Sequence, residues 1–201
     1  MPVRCVVLDI GGVLELTPRT GWLERWEREA GLEPGTVDQR LSGVWRAGSL
    51  GTGTEAEVMA AVREELGVAD ADLERFWTLL WEEYLGSLNT ELFEWFRGLR
   101  PRYRTGILSN SFVGARERER SLYGLDDACD VLVYSHEVGL SKPDAAIYAL
   151  TARRLDAAPG EIVFLDDTWA AVDGARRAGW HAVLFEETGQ AIREVERCLG
   201  S

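Results

Sequence analysis

Five short apolar segments, each stopping at a polar residue, constrain this chain more than any other feature. Residues 3–8 run Val-Arg-Cys-Val-Val-Leu and stop at Asp9, just before Gly11-Gly12. Residues 105–108 stop at Ser109-Asn110-Ser111, 131–134 at Ser135, 162–165 at Asp166-Asp167, and 182–185 close the set. Short Val- and Leu-rich runs bounded by turn residues read as buried parallel strands. Helical patterns separate most of them: Pro143 opens a helix over 144–155, and Gly179 closes one over 169–178. Strands alternating with helices predict an α/β fold with a parallel sheet. Ligands of such sheets bind at the carboxyl ends of the strands, which points to Asp9, Ser109, Asn110, Asp166 and Asp167.

The spacing is uneven. Nearly a hundred residues separate the first strand from the second, far more than one crossover helix needs. Within that stretch Leu73, Phe76, Trp77, Leu80, Trp81, Tyr84, Leu85 and Leu88 share one helical face. Thr54-x-x-Glu57 reads as a capping box for a helix carrying Val58, Val62 and Leu66. Trp22, Leu23 and Trp26 mark a third helix, and 48–53 reads as a flexible connection. The expected division is a core of residues 1–16 and 89–201 with a helical insertion over 17–88. The tryptophans of that insertion, Trp22, Trp26, Trp45, Trp77 and Trp81, are expected to pack its interior.

At 201 residues, 46% hydrophobic and 28% charged, the chain has ordinary globular usage, which excludes disorder and collagen-like structure. No apolar run approaches the ~18 residues of a spanning helix. The N-terminus lacks the charged and apolar regions of a signal peptide, so a cytoplasmic location is expected. A net charge of −12 repels phosphate backbones, which argues against nucleic acid or anionic membrane as partners. It also means that an anionic substrate needs a local cation or a metal. Cys5, Cys129 and Cys198 are odd in number and widely spaced, and read as reduced thiols. His136 and His181 are isolated and read as structural, and Arg116–Arg120 as a solvated helix face.

Asp9-Ile10-Gly11-Gly12-Val13-Leu14, Leu108-Ser109-Asn110, Ser141-Lys142-Pro143 and Phe164-Leu165-Asp166-Asp167 occur in that order, each at a strand end or helix start. The set resembles the four motifs of the haloacid dehalogenase (HAD) superfamily, with the small sugar-phosphate phosphatase branch the most similar in its second motif-one position. The resemblance implies a Rossmann-like core with a helical cap after the first strand. It also implies a Mg²⁺-dependent phosphatase of small phosphorylated metabolites, working through an aspartyl-phosphate. A carboxylate attacking a phosphate dianion meets like-charge repulsion, which a bridging cation relieves. On this resemblance Asp9 is the nucleophile. Asp9, the Gly11 carbonyl and Asp167 hold Mg²⁺, with Asp166 assisting. Ser109 and the amides near Asn110 hold phosphoryl oxygens, and Lys142 offsets charge on both phosphate and Asp9.

One position departs from the pattern. Most phosphatases of this superfamily carry a second aspartate two residues after the nucleophile, as general acid and base; here that position is Gly11. Such catalysis is worth ~10²–10⁴-fold, so its loss restricts substrates to those with good leaving groups unless the substrate, a water or Glu15 supplies the proton. A 2-haloacid dehalogenase, which needs no metal or second aspartate, is compatible with Gly11, although Asp166-Asp167 weighs against it. A non-catalytic binding protein is the third class left open.

Overall fold

The computed structural model describes residues 2–200; Met1 and Ser201, the outermost residues of the expected core, lie outside the described residues. In chain order the elements begin with β1 (Cys5–Leu8) and β2 (Glu15–Leu16), followed by α1 (Trp22–Glu29), α2 (Thr36–Leu50), α3 (Glu55–Leu66) and α4 (Asp70–Leu85). Then come β3 (Ser87–Leu88), α5 (Thr90–Gly98), β4 (Arg104–Ser109), α6 (Ala115–Tyr123), α7 (Leu125–Ala128), β5 (Val131–Tyr134) and α8 (Ser135–Val138). The chain closes with α9 (Ala145–Leu155), β6 (Ile162–Asp166), α10 (Trp169–Arg177), β7 (His181–Leu184) and α11 (Thr188–Leu199).

Five strands form one parallel sheet in the order β5-β4-β1-β6-β7. Alternation along β1 shows why both faces are covered. Val6 and Leu8 pack with Leu92, Phe96 and Val195 of α5 and α11, while Cys5 and Val7 pack with Ile147, Tyr148 and Ala175 of α9 and α10. The chain builds outward from β1 to β4 and β5, then returns to the other side for β6 and β7. The crevice at the carboxyl end of β1 is thus the point where the order reverses.

α1 to α4 lie between β2 and β3, two short strands that pair antiparallel (Glu15 with Leu88, Leu16 with Ser87). Their interior is aromatic, as expected: Phe76 meets Trp22, Trp26 and Trp45 at 5.2, 4.8 and 6.1 Å between ring centroids. Phe112, from the loop after β4, joins this cluster against Trp45, Trp77 and Trp81. Phe112, with Val113 and Ala115 in the same cluster, therefore anchors the helical insertion to the core. No helix among the described residues is long and apolar enough to cross a membrane.

The Thr54–Glu57 capping box forms, with both reciprocal bonds made, a feature worth ~0.5–2 kcal/mol. Of the expected flexible connection at 48–53, residues 48–50 are instead the end of α2, which buries Val37, Leu41 and Gly48, and the non-helical turn covers only residues 51–53. Leu88 leaves the face of α4 because Gly86, at φ +54°, ends that helix and a Cβ there would lie 2.3 Å from the Leu16 carbonyl oxygen. Asp144 caps α9, accepting from the Ala146 amide, so Pro143 precedes that helix rather than opening it. The 116–120 run is only partly solvated: Glu119 is fully buried, and the Arg118 guanidinium sits 4.1 Å from the Trp81 ring centroid.

Candidate active site

Three strand ends and one loop converge at the carboxyl edge of the sheet. Asp9 follows β1, and its Oδ1 accepts from the Ile10 amide at 2.8 Å and from Lys142 Nζ at 2.8 Å. Lys142 reaches across to Asp166 Oδ2 at 2.6 Å, and both side chains are almost fully enclosed. Asp166 Oδ1 accepts from the Thr168 amide at 2.8 Å and the Thr168 hydroxyl at 2.6 Å. Thr168 did not stand out in the sequence; the Asp-x-Thr spacing of an Asx-turn is the signal that marks it. Asp166 thus spends its oxygens fixing Lys142 and the turn. Asp167 is exposed, and carboxylate oxygens of Asp9, Asp166 and Asp167 lie within 4.8 Å of one another.

Burial dominates the electrostatics. It pushes the Asp9 carboxyl up to about 7, with Asp166 adding to the shift and Lys142 and the Ile10 amide opposing it. For Lys142 burial works toward neutrality, but the two facing carboxylates outweigh it and hold the ammonium charged. Asp167, although exposed at one side, is raised by its partial enclosure and by the neighbouring Asp166 charge. A cation in this cluster would stabilise the ionised carboxylates.

The two glycines of the first motif differ. Gly12 adopts φ +74°, and a Cβ there would stand 2.1 Å from Asp167 Oδ2; at Gly11 a Cβ would meet nothing within 4 Å. Gly12 leaves room for Asp167, whereas the side-chain position of Gly11 is open space. Glu15 does not fill it. Its side chain is fully enclosed and, among the described residues, neither carboxyl oxygen has a partner. Burial, then the Glu119 and Asp9 charges, push its carboxyl up to about 9.

Ser109 ends β4 nearly buried, and among the described residues no hydrogen-bond partner takes its hydroxyl. Asn110 turns its side chain sideways: Oδ1 accepts from the Lys142 amide at 2.8 Å, and Nδ2 donates to the Lys142 carbonyl at 2.9 Å. Its amide side chain therefore clamps the Lys142 backbone, while the Ser111 and Val113 amides of the following loop donate to Ser135 Oγ and Gly48 O. His136 is not isolated in space, since its Nδ1 lies 2.6 Å from the Ser111 hydroxyl. His181 is exposed on β7.

Known proteins share this architecture. A HAD family enzyme of Bacteroides thetaiotaomicron superposes with a TM-score of 0.83 at 21% identity, covering 98% of this chain and 100% of that one. The same Bacteroides protein has been solved in complex with magnesium and inorganic phosphate. Phosphatase MT3486 of Mycobacterium tuberculosis (strain CDC 1551 / Oshkosh) is 29% identical over 212 residues, 100% of this chain and 95% of that protein. Acyl-CoA dehydrogenase family member 10 of Mus musculus is 28% identical over 208 residues, 98% of this chain but 19% of that protein. The chain thus spans about a fifth of that longer relative. Residues 3–179 match the family of haloacid dehalogenase-like hydrolases, and the chain belongs to it.

Proposed function

We propose that the protein is a Mg²⁺-dependent phosphatase of small phosphorylated metabolites, sugar phosphates among them, with residues 17–88, which carry α1 to α4, as a cap over the strand ends. The observation that carries this reading is the meeting of the Asp9, Asp166 and Asp167 carboxylates within 4.8 Å, with Lys142 Nζ 2.8 Å from Asp9. The donor set is all hard oxygen, as Mg²⁺ prefers, and Gly12 leaves Asp167 room beside the cluster. Asp9, Asp167 and the Gly11 carbonyl would hold the ion, with Asp166 assisting. When bound, Mg²⁺ offsets the charge of the phosphoryl group and the carboxylates. The relatives support the same class, one being named a phosphatase and one solved with magnesium and phosphate.

In this reading the carboxylate of Asp9 attacks phosphorus, the ester P–O bond breaks, and a water later hydrolyses the aspartyl-phosphate. Lys142 neutralises charge on Asp9 and an incoming phosphoryl oxygen, and Asp166 keeps its ammonium in place. The unpartnered Ser109 hydroxyl donates to a second phosphoryl oxygen. Position 11 offers no acid, and the enclosed Glu15 cannot touch a leaving group. Anomeric and aryl phosphates, whose oxygens depart without strong protonation, are therefore the favoured substrates. The free thiols of Cys5, Cys129 and Cys198 accord with a reducing, cytoplasmic setting.

The test is phosphate release from p-nitrophenyl phosphate and a panel of sugar phosphates, in Mg²⁺ and in EDTA, with chloride release from 2-chloropropionate in parallel. Metal-dependent phosphate release that Asp9→Asn abolishes supports the proposal. Chloride release in EDTA, or no turnover of either class, overturns it.

A further inference from the structure

The end of α2 docks onto the core through its own carbonyls. A helix leaves its last carbonyls without partners in its own backbone. Here Gly48 O accepts from the Val113 amide at 3.2 Å, and Ser49 O accepts from the Ser135 hydroxyl at 2.9 Å. The approach is close: a Cβ at Gly51 would stand 1.7 Å from the His136 carbonyl oxygen. Any side chain at position 51 forces the two segments apart.

Ser135 is fully buried at the end of β5, and its oxygen serves both sides of the seam. It accepts from the Ser111 amide at 2.9 Å, and the Ser111 carbonyl lies 3.2 Å away as a second acceptor for its proton. A hydroxyl has one hydrogen to donate. The Ser49 carbonyl is the nearer of its two acceptors, at 2.9 Å against 3.2 Å; with α2 displaced, the acceptor left is the Ser111 carbonyl, in the very loop that follows Ser109 and Asn110. Asn110 ties one side of that loop to Lys142, and Ser135 ties the other to the cap.

We propose that Ser135 is a positioning residue that couples docking of the α2 end to the Ser109–Asn110–Ser111 loop, so that phosphoryl binding and cap docking favour each other. The coupling rests on the phosphatase reading for its ligand but not for its geometry. Because linkage is reciprocal, loosening the cap at Gly51 weakens phosphate binding as removing the hydroxyl does.

The experiment compares Ser135→Ala, Gly51→Ala and the double variant. The readouts are KM and kcat for p-nitrophenyl phosphate, inhibition by inorganic phosphate, and amide hydrogen exchange at Ser111. Losing one hydrogen bond predicts KM and the phosphate inhibition constant raised about fivefold in each single variant, with kcat changed less. The double variant is expected to be no worse than the poorer single one. Additive effects, or a Ser135→Ala protein with unchanged KM and phosphate inhibition, overturn the proposal. If the unaltered protein turns over no phosphate ester, the phosphatase reading fails while exchange still decides the coupling. Faster exchange at Ser111 in Gly51→Ala then supports it, and unchanged exchange refutes it.

Discussion

Gly12 and Asp167 are fitted to each other: a Cβ on the glycine would overlap the carboxylate, at 2.1 Å from Oδ2. With φ at +74°, an L-residue at position 12 is strained as well as crowded. Gly12→Ala should therefore displace Asp167 and lower stability by about 1–3 kcal/mol. Mg²⁺ affinity should fall about 10- to 100-fold, the usual effect of disturbing a ligand's support. Mg²⁺ titration of activity and thermal melts check this. Gly11→Ala, with open space around it, is the control and should melt within about 0.5 kcal/mol of the unaltered protein.

That open space gives the next expectation. Gly11→Asp places a carboxyl where no atom lies within 4 Å of the new Cβ, so the fold should accept it. If a missing acid limits the rate, turnover on alkyl phosphates should rise, up to the ~10²–10⁴-fold that general acid catalysis supplies. Aryl phosphates should gain little. Parallel kinetics on a simple alkyl phosphate and on p-nitrophenyl phosphate decide it, and equal changes on both would mean that the acid is not what the site lacks.

Lys142 separates stability from catalysis. Its ammonium faces Asp9 and Asp166, and the side chains of Lys142 and Asp166 are 2% and 0% exposed. Lys142→Met leaves buried carboxylates unpaired, which costs about 3–5 kcal/mol. Adding Asp166→Asn removes one of those charges and should recover part of the melting temperature but none of the activity. Lys142→Arg should not rescue, because a planar fork does not fit a site built around a point charge. Full recovery of turnover in the double variant would remove Lys142 from the proposed chemistry.

The sheet and the converging carboxylates were legible because strand ends mark themselves: an apolar run, then a polar residue, repeated along the chain. Thr54 and Glu57 marked α3 for the same reason, as a local signal with a local cause. α2 was not legible. It begins after Gly35 with no side-chain cap and carries Gly43 and Gly48, so its stability comes from Val37 and Leu41 packing inside the insertion. Ser135 and Thr168 act through contacts whose other halves are remote or set by a turn. Glu119 read as solvent-facing because its neighbours in sequence are charged; in the fold it is buried and bonded by the Tyr134 hydroxyl of β5, which is remote in sequence.

Glu15 and Glu119 make the last expectation. Burial, then the Glu119 charge, push Glu15 up to about 9; burial pushes Glu119 up to about 7 despite the hydrogen bond from Tyr134, with Asp126 adding to the rise. An ordinary glutamate in the unfolded chain titrates near 4.5. Between that value and the folded one, the native state binds more protons than the unfolded state, so stability falls as pH rises. For Glu119 the loss spans about pH 4.5 to 7, and for Glu15 it continues to about 9. Each group's contribution is on the order of a few kcal/mol. Glu119→Gln and Glu15→Gln stay neutral throughout, so their melting temperatures should gain on the unaltered protein as pH rises from 5 to 9. The Glu119→Gln gain should level off near pH 7, and that of Glu15→Gln should keep growing. A gain that shrinks with pH would mean that these carboxyls are ionised inside the fold.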